Sequence, residues 1–223
     1  MLHIEAAIDA DTLAQLRASL DAATWTSGRA TAGNLSGNVK NNRQLAEDDP
    51  RSAGLGATVL AALSRNALLL SAALPAVISP PIFNCYGEGE GYGDHIDGAI
   101  RPLARGRMRT DLSATLFLDD PSDYDGGELV IADAGGDHSV KLAGGDLILY
   151  EASSIHHVRP VTRGCRRAAV MWIQSMVRDP AQRSALHGLD QSIQRLRAME
   201  AANAEVLPLT ALYHNLLRMW AEP

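Results

Sequence analysis

The stretch Tyr86-Gly-Glu-Gly-Glu-Gly-Tyr92-Gly-Asp-His95-Ile96-Asp97 decides how this chain is read, taken together with Ile155-His156-His157-Val158 and with Arg166, ten residues after His156. Side chains two apart on an extended strand point to the same face, so His95 and Asp97 can share a metal ion. A third ligand then has to arrive from elsewhere in the fold. Two imidazoles and a carboxylate on one side of a metal, with the remaining positions open, suit non-haem Fe(II) that activates oxygen.

A His-X-Asp triplet alone is common in proteins that bind nothing, and its surroundings give it weight. Tyr86 to Gly93 holds four glycines and two glutamates, a composition for a tight turn, and it follows an apolar strand carrying Ile82, Phe83 and Cys85. That turn is expected to deliver the pair onto a neighbouring strand. Further strand-like segments follow at Leu112 to Leu118, Glu128 to Ala132, Ser139 to Leu142, Leu147 to Tyr150, Val158 to Val161 and Ala168 to Gln174, separated by Asp, Gly and Pro turns. The pattern predicts a sandwich or barrel of short strands.

Outside the strands the chain reads as helical. Asp9 or Asp11 is placed to cap a helix carrying Leu13, Leu16 and Leu20, and Leu2 to Ile8 before it reads as a strand. Asp49-Pro50 opens a second helix with Leu55, Val59, Leu60 and Leu63 on one face. Asp179-Pro180 repeats the signal for a helical region to about Ala202, and Pro208 is expected to begin a last helix with Leu209, Leu212, Leu216, Leu217 and Trp220. Between Thr26 and Asp48 the chain is a polar connection with a short strand near Val39 to Gln44.

The 223 residues suit one domain with an appendage, and 46% apolar with 21% charged residues is an ordinary globular composition. A net charge of −6 argues against nucleic acid or an anionic membrane as the main partner. Met1 to Asp11 lacks the pattern of a secretory signal, and Ala67 to Ile78, broken by Ser71 and Pro75, is too short to span a bilayer. Cys85 and Cys165 are too few for a disulfide scaffold and lack zinc-site spacing. They are read as reduced thiols of a soluble, cytoplasmic protein.

These motifs together carry a resemblance. Tyr86 with its glycine turn, His95-Ile-Asp97, Arg109-Thr-Asp-Leu-Ser-Ala-Thr-Leu-Phe-Leu118, Tyr124-Asp-Gly-Gly-Glu-Leu129, His156 through Arg166 to Trp172-Ile-Gln-Ser175, and the tail Tyr213 to Glu222 are similar to the bacterial PKHD-type hydroxylases. These are a branch of the prolyl-4-hydroxylase-like Fe(II)/2-oxoglutarate oxygenases. The resemblance implies an α+β, mainly β fold: a double-stranded β-helix (jelly-roll) core over residues 1–178 with N-terminal helices, and a helical extension over 179–223 packed on it.

Carried over residue by residue, the resemblance makes His95, Asp97 and His156 the iron ligands and Arg166 the partner of the distal carboxylate of 2-oxoglutarate. A guanidinium offers paired donors matched to such a group. Tyr86 takes the place of a tyrosine that hydrogen-bonds the co-substrate, or else closes the strand against the core. Trp172 lines the pocket or fills the core, with Ser113, Thr115 and Arg109 as weaker candidates. His157, pointing opposite to His156, is left as a supporting or surface group, Arg167 as a solvated strand-end charge, and Gly126-Gly127 as a turn. The four arginines from Arg101 to Arg109 read either as a lip that meets an anionic or carboxylate-bearing substrate at the pocket entrance or as a solvated loop, the loop being favoured for any single arginine, with Arg109 reserved for a structural carboxylate or the substrate.

The expected activity is hydroxylation of an unactivated C–H bond in a small-molecule or peptide substrate, using Fe(II), 2-oxoglutarate and O2 with ascorbate as reductant. The alternatives are a non-catalytic iron and 2-oxoglutarate sensor, and a cupin-like metalloenzyme that leaves Arg166 without a task. The apolar face of the last helix either docks on the chain's own sheet or forms a homodimer.

Overall fold

A computed structural model describes residues 1–31, 39–46, 48–199 and 203–222. The N-terminal part contains β1 (Leu2–Ile4), α1 (Ala10–Asp21), β2 (Trp25–Ser27), β3 (Lys40–Asn41), β4 (Arg43–Leu45), α2 (Pro50–Leu63) and α3 (Ala67–Ala73). The strand-rich part follows with β5 (Pro75–Ile78), β6 (Ile82–Tyr86), β7 (Gly91–His95), β8 (Ile100–Pro102), β9 (Arg107–Arg109), β10 (Leu112–Phe117) and β11 (Tyr124–Gly126). It continues through β12 (Leu129–Asp133), β13 (Gly136–Val140), β14 (Leu147–Glu151), β15 (His156–Val158), β16 (Val161–Gly164) and β17 (Arg166–Ser175). Helices α4 (Pro180–Arg197) and α5 (Asn203–Trp220) close the chain.

Two antiparallel sheets face each other. The larger runs β1-β14-β10-β17-β6-β4-β2, with β5 also paired to β17, and the smaller runs β13-β12-β15-β7-β3. Alternation along each strand sorts side chains between two layers. On the outer side of the larger sheet, Leu112, Ala114 and Leu116 of β10, Leu147 and Leu149 of β14, and Ala169, Met171 and Ile173 of β17 pack with Leu16, Leu20, Val59 and Leu63 of the N-terminal helices. Each such side chain, when large and fully buried, contributes about 1.5–3 kcal/mol, so this layer fixes the sheet's position. Between the sheets lie Tyr86, Phe117, Ile148 and Tyr150 of the larger and Leu129, Ile131 and Val158 of the smaller.

The helix starts follow their capping residues. Asp9 accepts the Thr12 N–H at 2.7 Å, Asp49 accepts the Arg51 N–H at 2.9 Å, and Asp179 accepts the Gln182 N–H at 2.9 Å, the last two with proline at the first helical position. Pro208 departs from expectation. It sits inside α5, not at its start, where its missing N–H removes one helical hydrogen bond near the end of the first turns. The expected end of α4 near Ala202 falls outside the described residues, and the described helix closes at Arg197. Among the described residues no single helix is long and apolar enough to cross a membrane.

The tail docks on its own domain. Leu186 of α4 buries against Leu74 and Val177, with Tyr213, Leu216, Leu217 and Trp220 of α5 packed on the same cluster. Arg183, 3% exposed, locks it by donating to the Val177 and Arg178 carbonyls and to both carboxylate oxygens of Glu151 at 2.8 and 2.6 Å. Truncating it leaves two carbonyls and a carboxylate without their donor. Arg183→Ala should therefore lower unfolding stability by ~2–4 kcal/mol in urea denaturation, and a loss too small to resolve would mean the tail is held by its apolar contacts alone.

Candidate metal centre

Antiparallel pairing of β7 with β15 sets His95 directly opposite His156. The glycine turn between β6 and β7 carries the chain from one sheet to the other, with Gly89 at φ 75°, a conformation open to glycine without strain. Strand β7 ends at His95, so Asp97 reaches the centre from the segment after the ladder rather than from the same strand face. The ligating atoms of His95, Asp97 and His156 nonetheless lie within 4.8 Å of one another, His156 Nε2 being 3.9 Å from Asp97 Oδ2.

Hydrogen bonds orient all three groups. His95 Nδ1–H donates to the Gly93 carbonyl at 2.9 Å and His156 Nδ1–H to the Ser154 carbonyl at 3.0 Å. Each ring's Nε2 is thereby left with its lone pair, the tautomer a metal requires. Ser113 Oγ–H donates to Asp97 Oδ2 at 2.5 Å. Tyr92 stacks on His95 with ring centroids 3.6 Å apart, and Tyr150 meets His156 edge-on. Burial, then repulsion from His156, depresses the His95 pKa to about 4, so the ring is neutral at pH 7.

A cavity of about 130 Å³ borders the three residues and runs to Arg166. Arg166 is 2% exposed, and among the described residues its Nε and Nη2 have no hydrogen-bond partner. Its guanidinium lies 5.3 Å from the Tyr86 ring centre and 5.2 Å from that of Phe117. Tyr86 is its cross-strand partner, and burial pushes the phenol up to about 12 against the pull of Arg166, leaving a neutral O–H. Gly127 stands at φ 67°, and a Cβ there would come within 3.1 Å of Arg166 Cδ. The glycine expected only to turn the chain thus also makes room for the arginine. Two donors held in an apolar enclosure fit a carboxylate, and two imidazoles with a carboxylate fit Fe(II).

Other expectations meet mixed outcomes. Trp172 lines the cavity, as does Thr115, and Ser113 holds Asp97. His157 turns away to Asp94, at 2.7 Å. Arg109 is not in the cavity: it makes paired contacts to Asp111 at 2.6 and 2.9 Å and donates to the Ser175 carbonyl. Arg167 is no solvated charge, because Asp119 and Asp21 hold its guanidinium. The segment with four arginines is a β8–β9 hairpin rather than a loop, and Arg101 is not solvated but lies 3.7 Å over the Trp172 ring, lining the cavity.

Sequence reading missed Lys40, Gln44, Asn84 and Tyr150, which also line the cavity. Asn84 accepts from Asn42 at 2.9 Å and from Gln44 at 2.6 Å, a buried amide cluster. A polar residue in the apolar run Ile82-Phe-Asn-Cys-Tyr86 was its available signal. Lys40 is 6% exposed, its pKa lowered to about 8 by burial and then by the charge of Arg101.

Residues 81–174 match the 2OG-Fe(II) oxygenase superfamily, and residues 180–222 match the PKHD-type hydroxylase C-terminal domain. A PKHD-type hydroxylase of Burkholderia thailandensis is 53% identical over 226 residues, covering 100% of this chain and 99% of that protein. The chain belongs to the PKHD-type hydroxylases. A second member, from Stenotrophomonas maltophilia, is 52% identical with 100% and 99% coverage. The fold of this hydroxylase, the mainly β double-stranded β-helix, is shared with a Trichoplax adhaerens prolyl hydroxylase solved with a hypoxia inducible factor peptide (TM-score 0.56, 17% identity, 78% of this chain and 83% of that one). A Pseudomonas putida prolyl-4-hydroxylase gives a TM-score of 0.50 at 22% identity, with 78% and 91% coverage.

The depressed pKa of His95 carries a pH dependence in the metal-free hydroxylase. Its folded value of about 4 lies below the ordinary ~6.5, so the unfolded chain binds the proton more readily. Stability is then fully present above about pH 6.5 and falls as pH drops towards about 4. Histidine ring NMR should give His95 a midpoint near about 4, and one at or above the ordinary value would contradict the buried, neutral ring.

Proposed function

We propose that this hydroxylase uses His95, Asp97 and His156 to hold Fe(II), and Arg166, with the Tyr86 hydroxyl, to hold 2-oxoglutarate. The observation that carries the reading is the buried guanidinium of Arg166, with two donors unpaired among the described residues, lining the same cavity that the three metal-type ligands border. A metalloenzyme using its ion only as a Lewis acid would leave those donors without a task. When bound, the Fe(II) and 2-oxoglutarate pair supplies an O2-dependent decarboxylation to succinate and CO2, coupled to hydroxylation of a small-molecule or peptide substrate. The chain's own part is positional. Ser113 fixes the Asp97 carboxylate, the backbone carbonyls of Gly93 and Ser154 fix the two imidazoles, and Lys40 and Arg101 give the cavity a positive lining on the side of Asp97.

Residues 179–223 form, in this reading, an extension packed on the oxygenase domain of 1–178. Self-association through that extension is its finer part: Leu207, Leu212 and Met219 of α5 are 76%, 47% and 73% exposed although Leu216 and Trp220 dock inward. Light scattering of the full chain should give a dimer, and a monomer at high concentration contradicts this.

Co-substrate and metal binding separate by mutation. Anaerobic protein should bind Fe(II) and develop a weak visible band on adding 2-oxoglutarate, and Asp97→Ala should lose both. Arg166→Ala should keep the iron while weakening 2-oxoglutarate by ~2–5 kcal/mol, with Arg166→Lys in between because it keeps the charge and loses the fork. Equal losses from Arg166→Ala and Arg101→Ala would mean that general positive charge holds the co-substrate. Succinate formation coupled to O2 uptake distinguishes an oxygenase from a sensor, which would bind both ligands and form none.

A further inference from the structure

Cys85 and Cys165, 80 residues apart in the chain, are both free, and their Sγ atoms are 2.7 Å apart. Cys85 directly precedes Tyr86 in β6, Cys165 directly precedes Arg166 at the start of β17, and Tyr86 and Arg166 are cross-strand partners. We propose that the two thiols are a redox-responsive pair that peroxide converts to an intramolecular disulfide, stapling β6 to β17 on the side away from the cavity.

Alternation places the staple. Tyr86 and Arg166 line the cavity, whereas Cys85 and Cys165 line a separate, open depression with Asp21, Arg43, Asp119 and Arg167. Cys85 is 3% exposed and Cys165 is partly exposed there, so an oxidant reaches Cys165 first. The hydrogen bond from Cys85 pulls the Cys165 pKa down, opposed by burial and by the charge of Asp119 and helped by the charges of Arg43 and Arg167; the thiolate is the form that attacks peroxide. Disulfide sulfurs stand about 2.05 Å apart, so closure needs a displacement below about 1 Å from the separation observed.

The chemistry balances with hydrogen peroxide as oxidant. The Cys165 thiolate attacks one peroxide oxygen, the O–O bond breaks, and the departing oxygen takes up a proton and leaves as water. The resulting sulfenic acid at Cys165 is attacked by the sulfur of Cys85, whose proton leaves with the displaced oxygen as the second water. Two thiols lose two electrons in all, and the peroxide gains them. Because the bond forms behind the cavity wall, it ties together the strand pair that carries Arg166 without entering the pocket.

The test uses the full chain, reduced, desalted and treated with stoichiometric hydrogen peroxide without added iron, so its outcome does not depend on the metal reading. The denatured product should show no free thiols in place of the two cysteines of the sequence, an intact mass lower by two hydrogens, and a cross-linked peptide joining the segments around residues 85 and 165. Dithiothreitol should restore both thiols, and the oxidised chain should melt at a higher temperature. In Cys85→Ser the mass loss should disappear and Cys165 should instead be trapped by dimedone as a sulfenic acid. Cys165→Ser, which changes the more exposed partner, should stay reduced at the same peroxide dose. Oxygen additions to both sulfurs without a cross-link, bridges between chains, or two unreacted thiols would each overturn the proposal.

Discussion

An arginine side chain placed almost wholly out of water, with Nε and Nη2 unpaired among the described residues, is the constraint around which the two sheets are arranged. Removing a charge from water costs several kcal/mol unless hydrogen bonds and an opposite charge repay it. The chain tolerates the cost through its surroundings. Phe117 and Tyr86 present ring faces to the guanidinium, Gly127 leaves space beside its stem, and the helices behind the larger sheet hold β17 in register through Ala169, Met171 and Ile173. A slip of β17 by one residue would exchange Arg166 for Cys165 or Arg167 on the cavity side. Arg167 is already committed to Asp119 on the opposite face, which resists that slip.

The metal-type ligands depend on the smaller sheet in the same way. His95 and His156 meet because β7 and β15 are adjacent and antiparallel, and Asp97 is held from the larger sheet by Ser113 of β10. The centre therefore straddles the two sheets. Arg166 belongs to one of them and the histidines to the other, so the distance between the buried guanidinium and the three metal-type ligands is set by the apolar layer between the sheets, where Leu129, Ile131, Ile148 and Val158 pack.

Much of this was legible in the sequence because it rests on local chemistry. Asp-Pro pairs start helices through capping and proline's fixed φ, and His-X-Asp reads as a metal pair, whereas the carboxylate role expected of Arg166 came from the family resemblance. What escaped depends on pairing between distant strands. Asn84, Gln44 and Tyr150 are ordinary strand residues until the register shows which face turns inward, and Lys40 enters only because β3 joins the edge of β7. Arg101 and Arg167 looked like solvated charges for the same reason: their partners, Trp172 and Asp119, lie far along the chain. Pro208 shows that a strong local signal for a helix start can be overridden, since α5 extends back past it to Asn203. Arg109, weighed between a structural carboxylate and the substrate, takes the first, with Asp111 only two residues away.

In the proposed reading the donors of Arg166 left unpaired among the described residues receive a carboxylate. A crystal structure of the anaerobic Fe(II) protein grown with 2-oxoglutarate tests it most directly. The distal carboxylate of 2-oxoglutarate should lie within hydrogen-bond distance of Arg166 Nε and Nη2. A co-substrate whose distal carboxylate rests on Lys40 or Arg101, with Arg166 still unpaired, would contradict it.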